Sequence, residues 1–169
     1  MKQDADITMR SLKMNNEARY MQEALKEARK AFDIGEVPIG CVIVQNGKII
    51  ARGYNKRQTS KNALMHAEII AINKVCKRLN KWILDDCDIY VTLEPCPMCA
   101  GAILQSRMNR LIFGALEPKF GACGSVVNLL NNPSFNHQVE ITSGIMQEES
   151  KQLLQNFFHI LRQNNKNKV

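Results

Sequence analysis

Apolar side chains recur along the chain at spacings that predict four helices. Between residues 18 and 32 they follow steps of three and four, which places them on one face of an α-helix. Asn15 or Asn16 is a suitable cap for the start of this helix, and Gly35 ends it. Three further helices are predicted over residues 66–79, over residues 97–106 and from about residue 146 onward.

Runs rich in β-branched and aromatic residues lie between these helices and predict five strands. Asn46-Gly47 is a two-residue hairpin turn between residues 41–44 and 49–54, because both turn positions tolerate positive φ. Three more strands are predicted at residues 88–93, 110–113 and 139–142. Helices that alternate with strands indicate one α/β domain with a layered α/β/α arrangement.

Length and composition exclude several classes of protein. The chain has 169 residues, the size of one ordinary domain, and its 45% apolar content excludes intrinsic disorder. No window approaches 18 uncharged apolar residues, so no membrane span is predicted. The N-terminus lacks the apolar core of a secretory signal. Six cysteines without such a signal fit a reducing compartment, so we expect a cytoplasmic location.

The net charge of +7 is unevenly distributed. Residues 36–65 and residues 151–169 each carry a net charge of +4, so the remainder of the chain is close to neutral. Two basic segments are typical of a surface that binds a polyanion, but a solvated surface with a frayed tail gives the same charge pattern. Charge alone leaves both interpretations open.

Cys96 and Cys99 form a C-x-x-C motif at the predicted start of the third helix. This spacing suits a redox pair, a structural zinc site or a catalytic zinc site. A redox pair usually follows the first strand of its fold, and a structural zinc site usually has a second C-x-x-C, which this sequence lacks. His66 is then the natural third ligand, and three protein ligands leave a fourth position for water, as in a catalytic site.

Glu68 follows His66 by two residues. In the middle of a helix these two positions face in very different directions, but in the first turn both side chains can flank one metal ion. We therefore expect His66 to bind zinc and Glu68 to act as an acid and base beside it. The alternative is a glutamate that only stabilises the positive end of the helix dipole.

The pattern H-x-E followed by P-C-x-x-C is typical of the zinc-dependent nucleobase deaminases. Further segments extend the likeness: EVPIG at 36–40, GYN at 53–55, TLEPCPMCAGA at 92–102 and FGA at 113–115. With them the chain resembles the bacterial tRNA-specific adenosine deaminases from about residue 16 to residue 163. The resemblance implies an N-terminal extension at 1–15, a deaminase domain at 16–163 and a frayed basic tail at 164–169. It also implies a three-layer α/β/α, cytidine-deaminase-like fold with a mixed five-stranded sheet.

The resemblance further implies an activity, which is hydrolytic deamination of adenosine to inosine at the wobble position of a tRNA anticodon. Zn²⁺ held by His66, Cys96 and Cys99 would activate a water molecule, and Glu68 would carry its proton to the adenine. An arginine tRNA is the expected substrate, and a homodimer is the expected assembly. Ala100, Ala102 and Ile103 of the third helix are the expected partner face.

The same resemblance suggests residues that contact the substrate. Asn55 and Ala67 are expected to orient the purine, with Val37 and Pro38, beside Ile39, as an apolar wall. Lys119, Arg162 and the basic residues at 48–61 are candidates for phosphate contacts. Phe157 and Phe158 have the spacing of core residues, and stacking on RNA is the alternative.

Two rival functions share these features. A deaminase of free bases or mononucleotides would use the same zinc site, although it would need no polyanion surface. A non-catalytic RNA-binding or scaffold subunit would keep a structural zinc, although it would not need an acid and base at Glu68.

Overall fold

The computed structural model describes residues 2–166, with side chains from residue 14 onward. Over these residues the chain forms four helices and five strands, which alternate largely as the sequence predicts. In chain order they are α1 (Lys2–Asp33), β1 (Gly40–Gln45), β2 (Lys48–Tyr54), α2 (Ala67–Leu79), β3 (Cys87–Leu93), α3 (Pro97–Gln105), β4 (Arg110–Ala115), β5 (Glu140–Ser143) and α4 (Gln147–Lys166).

The five strands form one mixed sheet in the order β2-β1-β3-β4-β5. β1 is antiparallel to both β2 and β3, whereas β4 is parallel to both β3 and β5. The predicted hairpin turn is confirmed, because Asn46 and Gly47 have φ values of 50° and 73°. Parallel strands require crossover connections, and α3 supplies the crossover from β3 to β4.

The sheet separates two layers of helices, because alternate side chains of each strand point to opposite faces. Cys41 and Ile43 of β1 pack in the core that α2 and α3 share with the sheet. Val42 and Val44 pack instead against α1 on the other face. Helix α4 lies on the α1 side, where Phe157 stacks edge-on against Phe32 at 5.7 Å. The predicted three-layer α/β/α arrangement with a mixed five-stranded sheet is therefore confirmed.

One predicted helix boundary is wrong. Helix α1 begins at Lys2 and does not begin at a cap formed by Asn15 or Asn16. Residues 2–14 contain neither proline nor glycine, so they can extend the helix towards the N-terminus. Asn15 and Asn16 do not interrupt it, because an asparagine inside a helix costs less than about 0.7 kcal/mol. Helix α4 is described to Lys166, and residues 167–169, the end of the expected tail, lie outside the described part.

The expected partner face on α3 also needs correction. Ala100 and Ile103 are completely buried in the core of the chain itself, while Ala102 is only partly buried. Ala100 and Ile103 therefore pack within the protomer and cannot form a face for a partner. Among the helices of residues 2–166, none is both long and apolar enough to cross a membrane.

Candidate active site

The two predicted ligand motifs meet at the starts of α2 and α3. His66 is the capping residue of α2 and Cys96 that of α3, and both have extended backbone conformations. Pro97 occupies the first turn of α3, where its missing N–H costs no hydrogen bond. Nδ1 of His66 lies 3.7 Å from Sγ of Cys96 and 3.5 Å from Sγ of Cys99. The ligand atoms of all three predicted residues lie within 4.8 Å of one another.

The end of strand β2 sets the position of His66. A Cβ added at Gly53 would overlap the carbonyl oxygen of Ala67, so the glycine lets the first turn of α2 approach the strand closely. Oδ1 of Asn55 accepts a hydrogen bond of 3.0 Å from the N–H of Ala67. Asn55 thus satisfies one of the four backbone donors that the start of a helix leaves without an intrahelical partner, and the side chain of His66 makes no capping bond. The imidazole of His66 can therefore face the two cysteines.

Hydrogen bonds within this cluster favour one thiolate. The hydrogen bond with Cys99 lowers the pKa of the Cys96 thiol to about 4 although burial opposes it, and the contact with His66 lowers that pKa further. The pKa of Cys99 is raised far above its usual value because the thiol donates to Cys96 and is buried. The contact with Cys96 also raises the pKa of His66. A thiolate is the form of cysteine that binds metal ions.

Glu68 lies in the first turn of α2 with a side chain that is only 4% exposed. Burial raises the pKa of its carboxyl group to about 7. A carboxyl group with a pKa near neutrality can both accept and return a proton. Glu68 lines the same cavity as His66 and Cys96, so its carboxyl group faces the place where a substrate would bind.

The donor set fits a zinc ion. One imidazole nitrogen and two thiolate sulfurs are ligands that zinc prefers, and three protein ligands are typical of catalytic zinc sites. Zn–S bonds of about 2.3 Å and Zn–N bonds of about 2.0 Å in a tetrahedron place nitrogen and sulfur about 3.5 Å apart. The observed separations of 3.5 and 3.7 Å match that requirement.

A cavity of about 480 Å³ opens in front of this cluster. That volume lies within the usual range of small-molecule sites. We call the cluster of His66, Glu68, Cys96 and Cys99 the floor. Around the opening lie Arg57 from the loop after β2, and Glu117 and Phe120 from the segment after β4. We call these two segments, residues 56–62 and 116–125, the rim.

Comparison with known proteins identifies the family. The sequence matches the MafB19-like deaminase family over residues 15–162. It is 50% identical over 153 residues to the tRNA-specific adenosine deaminase of Bacillus subtilis strain 168, which covers 90% of this chain and 95% of that protein. The chain belongs to the tRNA-specific adenosine deaminase family.

Solved structures agree with this deaminase assignment. A structure from a study of A-to-I editing by tRNA:A34 deaminases at the wobble position of transfer RNA matches with a TM-score of 0.78 and 43% identity, over 80% of this chain and 99% of that one. A guanine deaminase from Bacillus subtilis matches less completely, with a TM-score of 0.56 and 41% identity over 58% of this chain and 63% of that one. The expected cytidine-deaminase-like fold is therefore confirmed.

The residues expected to hold the purine are Asn55, Ala67, Val37 and Pro38, and none of them is among the described residues that line the cavity. Asn55 is buried, and the Ala67 N–H donates to its Oδ1, so that N–H is not free to bind a substrate. In the apolar segment before β1, Val37 is half-buried and Pro38 is buried. Ile39 is the member of this segment that lines the cavity.

Two buried carboxylates hold the rim of the deaminase in place, a role that the sequence analysis missed. Oε1 of Glu36 accepts hydrogen bonds from the N–H and the hydroxyl group of Thr59, at 2.6 and 3.0 Å. Glu94 accepts hydrogen bonds from three backbone N–H groups and one hydroxyl group of residues 117–125. These bonds with Ser125, Glu117 and Cys123 outweigh burial and lower the pKa of Glu94.

A second, shallower depression of the deaminase lies beside the rim. It brings together the two predicted phosphate contacts, Lys119 and Arg162, with the half-exposed ring of Phe158. Phe157 packs in the core, one of its two predicted roles, because it is buried between α4 and α1. Within the basic segment 48–61, Arg52 is instead paired with Glu23 at 2.8 Å.

Proposed function

We propose that this protein converts adenosine to inosine at the wobble position of a tRNA anticodon by hydrolytic deamination. The observation that carries the proposal is the arrangement of the floor, where a His/Cys/Cys donor set and a buried carboxylate face one cavity of nucleobase size. Membership of the tRNA-specific adenosine deaminase family supports the same substrate. We further propose an arginine tRNA as the substrate and the cytoplasm as the location.

His66, Cys96 and Cys99 are the residues that would hold a zinc ion. When bound, zinc supplies the Lewis acidity that lowers the pKa of a water molecule to about 7. Glu68 accepts a proton as the water oxygen attacks C6 of adenine, and it delivers that proton to N1. Glu68 then accepts the second proton of the former water and gives it to the amino group at C6. The C–N bond breaks, ammonia leaves, and C6 keeps the oxygen as the carbonyl group of inosine.

The base is held by the walls of the cavity. Ile39 supplies apolar contact area, and its neighbours Val37 and Pro38 support it from the segment before β1. Asn55 has its Oδ1 engaged by Ala67, so we propose that its amide NH₂ group donates to the purine edge. Ala67 contributes by donating its N–H to Oδ1 of Asn55, which fixes the Asn55 side chain.

The surface around the cavity fits a polyanion. Lys119 and Arg162 come from distant parts of the sequence and line one depression beside the rim, as phosphate contacts require. Arg57 brings a further cation to the cavity itself. An anticodon loop offers bases that are already unstacked, which reduces the cost of inserting one into the cavity.

We also propose that the protein acts as a homodimer. Large apolar side chains that remain exposed on the protomer, such as Val126, Val127 and Ile160, are the type of residue that a partner copy would cover. Ala100 and Ile103 are excluded from such a face because they are buried in the protomer.

The proposal is tested by comparing substrates. An anticodon stem-loop with adenosine at the wobble position, free guanine, cytosine and dCMP are incubated with the zinc-loaded protein, and inosine or ammonia is measured. We expect turnover of the stem-loop to exceed that of each small substrate by at least about 100-fold. Turnover of guanine or another small substrate alone would show that the rival reading, a free-base or mononucleotide deaminase, is correct.

A further inference from the structure

The aromatic ring of Phe120 stands at the mouth of the catalytic cavity. Phe120 is 68% exposed, yet it lines the same cavity as His66 and Glu68. The proposed chemistry has no role for this side chain. An exposed aromatic ring contributes little to the stability of the fold. A ligand that covers the ring removes its apolar surface from water, which favours binding.

The backbone on both sides of Phe120 is fixed by one buried carboxylate. Oε2 of Glu94 accepts a 3.0 Å hydrogen bond from the N–H of Glu117, and Oε1 accepts one of 3.1 Å from the N–H of Cys123. A Cβ added at Gly121 would overlap both the Glu94 carboxyl group and the carbonyl oxygen of Glu117. The backbone at Gly121, immediately after Phe120, therefore packs directly against the side chain of Glu94. The ring projects from a support that is held before any ligand binds.

The surroundings of the ring indicate the kind of ligand that covers it. On one side lies the cavity with Glu68, where the target base enters. Lys119, the residue before Phe120, lines the cationic depression together with Arg162. The ring thus stands between a site for a base and a site for phosphate groups. A nucleotide chain has that same succession of bases and phosphates, whereas an apolar peptide would not use the cations.

We propose that Phe120 is a stacking platform for the unpaired base next to the target adenosine in the RNA substrate. Stacking on an aromatic side chain tolerates any base, because every base offers a π face. The platform would hold the neighbouring nucleotide in place while the target base occupies the cavity. This proposal rests on the proposed function, because it requires an RNA substrate with unpaired bases.

The test combines a change in the protein with a matching change in the RNA. Wild type and Phe120→Ala are compared on three anticodon stem-loops: the intact loop, one that is abasic at the nucleotide 5′ to the target, and one that is abasic at the nucleotide 3′ to it. We expect Phe120→Ala to raise KM for the intact loop about tenfold and to leave kcat within about twofold. One of the abasic loops should raise the KM of wild type similarly, and on that loop Phe120→Ala should have no further effect.

Two further variants separate stacking from a general loss of structure. Phe120→Trp keeps an aromatic ring and should keep the KM of wild type. Phe135→Ala removes another exposed ring, 43% exposed in the turn before β5, and should leave KM unchanged.

The outcomes distinguish the platform from the proposed function. A Phe120→Ala protein that matches wild type on the intact loop would overturn the platform, and so would a tenfold loss that persists on both abasic loops. A wild-type protein that deaminates free guanine but not the intact loop would overturn the proposed function, and the platform with it.

Discussion

The floor and the rim of the cavity are built by different means. The floor comes from two short motifs, residues 66–68 and 96–99, each at the start of a helix, so backbone geometry places its side chains. The rim comes from loops, and it is held by hydrogen bonds to the buried carboxylates of Glu36 and Glu94. The catalytic side chains of this fold are therefore positioned by the starts of two helices. The shape of the entrance depends instead on two carboxylates that are far in sequence from the loops they bind.

Mutations in the floor and in the rim are also expected to affect different properties of the protein. Each floor residue takes part in metal binding or proton transfer, so its loss should affect the chemical step. Each rim carboxylate accepts several hydrogen bonds, and bonds to charged groups contribute about 1.5–3 kcal/mol each. Its loss should affect stability and substrate binding first. Variants in the two regions therefore provide a direct test of the comparison.

The largest effect is expected when the floor loses a metal ligand. Cys96→Ser replaces a thiolate by a hydroxyl group that stays protonated at neutral pH, so bound zinc and deamination should both be lost, the latter by more than about 1,000-fold. Zinc per chain is measured by atomic absorption and turnover by inosine formation. Cys76→Ser, a half-buried cysteine outside the cluster, is the control and should keep both. Full activity of Cys96→Ser would remove the donor set from the proposed mechanism.

A smaller loss, confined to turnover, is expected at Glu68. Glu68→Ala removes the proton carrier, and general acid–base catalysis contributes about 10²–10⁴-fold, so turnover should fall by that factor while zinc content and melting temperature are kept. Glu148→Ala, at an exposed position on α4, serves as the control. Turnover of Glu68→Ala near that of wild type would favour the rival reading of a non-catalytic subunit with a structural zinc.

The floor could be predicted from the sequence because its geometry is local. The spacing of Cys96 and Cys99 and the position of His66 at a helix start sufficed to bring three ligand atoms together. The strands and helices α2 and α3 could also be predicted, because the periodicity that indicates them depends only on residues close together in sequence. The start of α1 was not predicted correctly. Asn15 is a suitable capping residue, but the residues before it also form helix, so the helix does not begin there.

The rim could not be predicted because its contacts join residues far apart in sequence. Glu36 bonds Thr59 across 23 positions, and Glu94 bonds Ser125 across 31. Nothing in composition or periodicity distinguishes these glutamates from solvated ones. Gly121 was the nearest available signal, since a glycine can mark a close approach of two segments. Likewise, only the folded chain shows that Lys119 and Arg162 share a depression.

At the rim, Glu94→Gln is expected to cost about 1–3 kcal/mol of unfolding free energy. Its carboxylate accepts two hydrogen bonds on each oxygen, and the amide NH₂ group of glutamine would face at least one backbone N–H that it cannot bond. Segment 117–125 should shift, and KM for the stem-loop should rise about tenfold with zinc content unchanged. Urea unfolding and steady-state kinetics measure both effects.

Ser125→Ala is the matched control for that variant. It removes one hydroxyl donor to Glu94 and leaves the backbone donors in place, so its loss of stability should be less than half as large. Equal stability of Glu94→Gln and wild type would contradict the role of this carboxylate in holding the rim.

The smallest effect is expected from the cations beside the rim, because a single exposed charge contributes little in water. Lys119→Ala and Arg162→Ala should each raise Kd for the stem-loop a few-fold at about 0.1 M salt. Each should also reduce the slope of log Kd against log salt concentration by about 0.7, the value for one phosphate contact with a single strand. Lys151→Ala, on the same helix as Arg162 but paired with Glu148, should change neither quantity. If Lys119→Ala and Arg162→Ala both keep the wild-type slope, the depression is solvated surface, and the RNA is held by other residues of the floor and the rim.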